Sequence, residues 1–221
     1  MKRTVVMIGV VVLMLSLVAI AADQRALKVT AQPVPGGKAY QPEVNATAPI
    51  FSNLAVKDPK GLYFCCSGWE LTGPDWLYSQ YGYQWIGLQF VLAKQTTVHK
   101  ISTSVTYFEA GSFTDFLLSI QADANGIPSG TPLGTGPWAV TLDSQSFGQC
   151  CTLEVEKKIG LKLAAGTYWV VWSTESNSDL YAGINDEVLD GVDGQTIAYF
   201  YSTNNVWYAY QSTSGPAVEI Q

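Results

Sequence analysis

A period of two governs what this chain can fold into. In Gln84–Leu92 the residues Ile86, Leu88, Phe90 and Leu92 alternate with their neighbours, which puts all four on one face of an extended strand. Thr167–Thr174 is apolar on both faces, with Tyr168, Val170 and Trp172 on one and Trp169 and Val171 on the other. Such a strand is expected at the centre of a sheet, covered from both sides. Similar runs recur from Ile50 onward, at Ile50–Val56, Cys65–Leu71, Thr97–Phe108, Phe116–Gln121, Trp138–Leu142 and Cys150–Val155, then at Thr196–Tyr201, Val206–Gln211 and Ala217–Ile220. Turn signals such as Ala124-Asn125-Gly126 and Ala164-Ala165-Gly166-Thr167 divide them, because Asn and Gly tolerate positive φ. No segment holds a 3.6-residue stripe long enough for a helix. Residues 50–221 therefore read as one all-β domain, a single antiparallel β-sandwich of jelly-roll-like form.

The first 22 residues read differently. Lys2 and Arg3 precede an apolar stretch from Val5 to Ile20, and Ala19-Ile20-Ala21 supplies small residues before Ala22. These are the three parts of a secretory signal, with cleavage expected after Ala21 or Ala22. The competing reading is an uncleaved membrane anchor, since the run approaches spanning length. Nothing later is apolar for long enough to span a bilayer, so no membrane contact is expected once the signal is removed. Residues 23–49, with four prolines and Gly36-Gly37, read as an extended linker; the alternative is a tail packed along the domain.

Charge narrows the partners. Only 14% of residues are charged, too few for a coiled coil or an acidic disordered chain. The formal net charge is −6, and it becomes −8 without Lys2 and Arg3. With no basic stripe, nucleic acid is not an expected partner. Arg25 is then the only arginine, and it sits in the linker, so the domain lacks the usual bidentate clamp for phosphates and carboxylates.

Several chemistries fail on inventory. His99 is the only histidine, in a Thr-Thr-Val-His-Lys strand start, so histidine-based triads and metal sites have no basis. Glycoside hydrolysis needs only paired carboxylates, for which Glu70, Asp75, Glu109, Asp115, Asp143, Glu154, Glu156 and Glu175 are candidates. Any acidic all-β domain supplies such residues by chance. For calcium, Asp123-Ala-Asn125-Gly126 imitates the start of an EF-hand, but the twelfth position is Gly134 instead of Glu. A denser acidic turn, Asn185-Asp186-Glu187 with Asp190 and Asp193, is a weak candidate for one structural calcium ion, against the plainer reading of a solvated loop. No other cofactor is implied.

Aromatic residues give the best basis for binding. Trp69, Trp76, Tyr78, Tyr81, Tyr83 and Trp85 crowd into seventeen residues, and Tyr199, Phe200, Tyr201, Trp207, Tyr208 and Tyr210 flank a Thr203-Asn204-Asn205 turn. Rings with polar tips stack on sugar faces while their polar atoms bond hydroxyls. In strands, half of them must point inward and build the core. Trp76, Tyr78, Tyr81 and Tyr83 fall in the loop-like part and are the candidate ligand-binding residues.

The four cysteines occur as two adjacent pairs, Cys65-Cys66 and Cys150-Cys151. In an exported chain disulfides are the default. Adjacent strand residues point to opposite faces, so one pair could meet the other across neighbouring strands on both faces. Two vicinal bridges are the rival, and free thiols or a metal site the remainder; sequence alone leaves the connectivity open. Adjacent pairs fit a tetrahedral zinc site poorly, and a C-x-x-C redox motif is absent.

Phe64-Cys-Cys-Ser-Gly-Trp69, Phe147-Gly-Gln-Cys-Cys-Thr152 and Ala164-Ala-Gly-Thr-Tyr-Trp169 resemble the bacterial exported β-sandwich domains called choice-of-anchor domains, type R in particular. Ile120–Pro128 is similar to their strand–turn motif. The resemblance runs from about Ile50 onward and implies an exported domain displayed by interchangeable C-terminal anchors, without an established activity. Ala217-Val-Glu-Ile-Gln221 departs from that pattern, having neither a hydrophobic tail nor a basic cluster, so free secretion or non-covalent retention is expected. The function expected from these readings is a non-catalytic structural or adhesive module, secreted or at the cell surface, self-associating through edge strands. A carbohydrate-binding module using loop aromatics is the alternative, and a glycoside hydrolase the least favoured. Expected partners are cell-surface or environmental glycans, or other surface proteins.

Overall fold

The computed structural model describes residues 28–29, 48–53, 64–76, 82–109, 115–142, 153–188 and 195–221. Among them the chain is strand and turn, without a helix. Strands β1 (Lys28–Val29), β2 (Phe51–Ser52), β3 (Phe64–Thr72), β4 (Gln84–Leu92) and β5 (Thr96–Glu109) come first. There follow β6 (Asp115–Asp123), β7 (Pro128–Pro132), β8 (Trp138–Thr141), β9 (Leu153–Leu163) and β10 (Gly166–Ser173). The last are β11 (Tyr181–Val188), β12 (Gln195–Tyr201), β13 (Val206–Ser212), β14 (Ser214–Pro216) and β15 (Val218–Ile220).

Two antiparallel sheets pack together as a β-sandwich. The eight-stranded sheet runs β1-β3-β11-β5-β15-β2, with β9 along β5 and β14 along β11. The seven-stranded sheet runs β13-β12-β4-β10-β6-β7, with β8 also along β6. Strands β3 to β6 alternate between the sheets, and β9 to β12 alternate again beside them. The result is the neighbour sets β3-β11-β5-β9 and β4-β10-β6-β7, which is the jelly-roll wrap.

Period-two alternation fills the space between the sheets. Trp69, Leu71, Ile101, Val105, Ile184 and Val218 of one sheet meet Ile86, Leu88, Phe116, Leu118, Val170 and Trp172 of the other. Strand β4 has the bounds its alternation predicts. The Asn125-Gly126 turn also forms, with φ of 62° and 87° at its two central residues, matching the twist of the flanking strands. As expected, β10 is covered on both faces. Its outward Trp169 and Val171 join Ala198 in a second small cluster, against which Trp207 packs. Pro128 of β7 reaches over the same place. A Cβ on Gly87 would lie 3.3 Å from the Pro128 ring and 3.4 Å from the Trp169 indole.

The outer face of the eight-stranded sheet is polar yet buried. Along β5, Ser102, Ser104 and Thr106 alternate with Ile101, Thr103 and Val105 and are equally withdrawn from solvent. Asn185 of β11 ties two of them together: its Oδ1 accepts from the Ser104 hydroxyl at 2.8 Å, and its Nδ2 donates to Thr106 Oγ1 at 3.0 Å. Asn53 plays a similar part after β2, donating to the Pro216 carbonyl at 2.9 Å and accepting from the Val218 N–H at 2.6 Å.

Two expectations are corrected here. The acidic turn at Asn185-Asp186-Glu187 is strand: Asp186 and Glu187 pair with Pro216 and Gly215 of β14. The strand expected over Cys150–Val155 is described only from Leu153 and continues to Leu163, because Lys157, Lys158 and Lys162 are tolerated on a sheet edge. Within the segment read as a linker, Lys28 and Val29 pair with Trp69 and Gly68 of β3. Residues 1–22 and the rest of 23–47 lie outside the described residues.

Candidate functional site

The outer face of the seven-stranded sheet carries a row of rings. Register places Trp85 of β4 opposite Phe200 of β12, and Phe200 opposite Trp207 of β13. Trp85 and Phe200 stack with centroids 4.9 Å apart, and Phe200 and Trp207 lie 5.6 Å apart. Tyr83, just ahead of β4, adds a fourth ring 5.2 Å from Trp85 and 6.0 Å from Phe200. Phe200 is buried beneath its neighbours, while Tyr83, Trp85 and Trp207 are half-exposed.

Local structure fixes this ledge. The four-residue turn between β12 and β13 closes with Asn205 at φ 52° and its N–H bonded to the Tyr201 carbonyl, which sets Phe200 against Trp207. The Trp85 indole N–H donates to Thr174 Oγ1 at 3.2 Å. The Tyr83 N–H donates to Ser202 Oγ at 2.9 Å, and the Ser202 N–H returns a bond to the Tyr83 carbonyl. The alternate residues Tyr199, Tyr201, Tyr208 and Tyr210 pack on the core side, where Tyr199 stacks on Tyr208 at 5.4 Å. The second aromatic group thus divides between core and surface, as strand geometry requires.

The candidate residues separate accordingly. Tyr83 belongs to the ledge. Trp76 is only 8% exposed and stacks on Tyr181 at 4.7 Å, so its ring is covered although it follows a turn. Tyr78 and Tyr81 lie outside the described residues. Sequence reasoning did not single out Trp85, Phe200 and Trp207 for binding. Pairing across the β12–β13 turn could have joined the last two, but nothing local links them to Trp85.

A polar node lies on the same face, towards the other end of β10. Asp123 Oδ1 accepts from the Trp169 indole at 2.8 Å and from the Gln89 amide at 3.2 Å, and Oδ2 accepts from the Gly126 N–H at 3.0 Å. Burial alone would raise this carboxyl. The bonds from Gly126, Trp169 and Gln89 together outweigh that and hold its pKa below the ordinary carboxylate range. A depressed folded-state pKa contributes stability that is fully present above the unfolded value and is lost as pH falls through the folded one. Asp123→Asn is expected to lower stability by about 1 kcal/mol at neutral pH, since one amide edge must face a donor. Urea unfolding at neutral pH and in acid checks this, and the gap between the proteins should shrink in acid.

Other candidates are dispersed. Glu70, on β3, is held above the ordinary carboxylate range by burial. Glu70, Glu109, Glu154 and Glu156 belong to the eight-stranded sheet and Asp115 to the other, while Asp75 and Glu175 are exposed in turns. Among the described residues no group of three or more His, Cys, Asp or Glu could share a metal ion. Asp190, Asp193, Asp143, Cys150 and Cys151 lie outside those residues. Cys65 and Cys66 lie on β3 where its register against β11 jumps from Gly68 to Phe64. In the eight-stranded sheet β11 and β5 lie between β3 and the described part of β9, which begins at Leu153. A groove of about 890 Å³ opens at the far end of β4, bordered by Ile50, Val91, Leu92, Lys94, Thr96 and the exposed His99.

No protein-family model matches the chain, and no curated protein is significantly similar to it.

Proposed function

We propose that this protein is an exported, non-catalytic adhesive module that recognises neutral carbohydrate through the ledge of Tyr83, Trp85, Phe200 and Trp207. The observation that carries this reading is the register row itself. Around the buried Phe200, Trp85 and Trp207 on the two flanking strands and Tyr83 beside them present half-exposed rings from a rigid sheet. Such faces suit the C–H surfaces of sugar rings, and rings already held by packing lose little freedom on binding. The lack of arginine within the domain and the net negative charge favour an uncharged ligand over an acidic one. Export and surface retention are supported by the N-terminal signal pattern and by the resemblance to choice-of-anchor domains, and display of a rigid sandwich fits both.

The test is binding of the purified protein to soluble and insoluble neutral polysaccharides, with and without calcium, while released sugar is followed in the same wells. Trp85→Ala and Trp207→Ala are each expected to weaken binding at least about 10-fold, the usual effect of removing a central aromatic anchor. Unfolding curves confirm that both variants fold. Silence across the panel would overturn the reading, and released sugar would replace it with a hydrolase.

A further inference from the structure

The described sheet edges are not equally protected. A strand with an open edge is a template for another chain, and proteins blunt such edges with proline, lysine, bulges or brevity. Strand β7 begins and ends with proline, bends at Gly130 with φ 76°, and shifts register against β6. Strand β9 carries Lys157, Lys158 and Lys162. Strands β1 and β2 have two residues each. Strand β13 has none of these devices. Its seven residues, Val206-Trp-Tyr-Ala-Tyr-Gln-Ser212, include no charge and no proline, and all seven pair with β12 without a bulge. Among the described residues no strand pairs with its other side.

We propose that β13 is a self-association edge, pairing antiparallel with β13 of a second copy to make one continuous sheet across two sandwiches. The strand selects its own copy because it is uncharged: antiparallel pairing with itself meets no like charges, and the β-branched and aromatic residues favour extended pairing. Centring the two-fold on Ala209 pairs every residue of the strand, with Val206 against Ser212, Trp207 against Gln211 and Tyr208 against Tyr210 of the partner copy. Ala209 then faces Ala209 of that copy, and Ala209 is exposed, on the face that carries Trp207. The two-fold leaves both outer faces on the same side, so two ledges would point one way. The dimer itself does not depend on what the ledge binds. With a net charge of −6 on each copy, salt should strengthen association by screening repulsion.

Sedimentation velocity of the purified protein over a concentration series reads this directly. Wild type is expected to pass from monomer to dimer, with a midpoint that falls as salt is added. Ala209→Lys and Ala209→Glu each set two like charges opposite one another and should raise that midpoint at least about 10-fold. Mixing the two variants should restore a dimer, because unlike charges then meet. Val91→Lys, on an outward residue 67% exposed on β4, should change nothing. A wild type that stays monomeric, an Ala209→Lys protein that dimerises as well as wild type, or a mixture that fails to recover would each overturn the proposal. Near-identical unfolding curves for the single variants would confirm that the effect lies at the edge and not in the fold.

Discussion

Trp172→Ala is expected to lower unfolding free energy by about 3–5 kcal/mol, the range for deleting a large aromatic from a core. Trp172 is wholly buried near the end of β10, in register with Ile86 of β4 on one side and Leu118 of β6 on the other. Its removal leaves a cavity walled by strands that are locked on both sides and cannot collapse far. The indole N–H has no hydrogen-bond partner. Trp172→Phe drops that orphan donor while keeping most of the ring, and should cost about 1 kcal/mol. Chemical denaturation of both variants with unchanged slopes checks the pair of values. Equal losses in the two would show that packing at this position does not dominate.

Asn185→Ala is expected to cost about 2–3 kcal/mol, although it removes only a short polar side chain. Asn185 is 2% exposed and bridges the Ser104 and Thr106 hydroxyls. Taking it away strands two buried polar groups, and an unmade bond in the interior costs more than a made one contributes. Adding Ser104→Ala to the Asn185→Ala background should therefore cost little more. The double-mutant cycle should return a coupling above about 0.5 kcal/mol. Additive losses would mean that the two side chains act independently.

What could be read in advance was the part that depends on neighbours in sequence. The bounds of β4, the two-sided burial of β10 and the Asn125-Gly126 turn all follow from local alternation and backbone preference. Strand β11 was hidden because Gly183, Asn185, Asp186 and Glu187 resemble a solvated turn, and only the buried polar face of β5 gives Asn185 its bonds. Trp76 was misplaced for the converse reason. It follows a turn, yet Tyr181 from a distant strand covers its ring. The ledge falls between these cases: period two predicts that Phe200 and Trp207 share a face, whereas Trp85 joins them only through the sheet order.

The place of β15 has a consequence for biosynthesis. Val218 and Ile220 are core residues, and β15 lies between β5 and β2, pairing Glu219 with Ser52 and Val218 with Thr103. Ser52 and Glu219 are also joined by a hydrogen bond across 167 positions of chain. An emerging polypeptide cannot complete the eight-stranded sheet until Ile220 has left the ribosome. Pairings of such long range form slowly, since loop closure must precede any gain from contact. Until then the chain stays short of its final state, a delay in keeping with the proposed export.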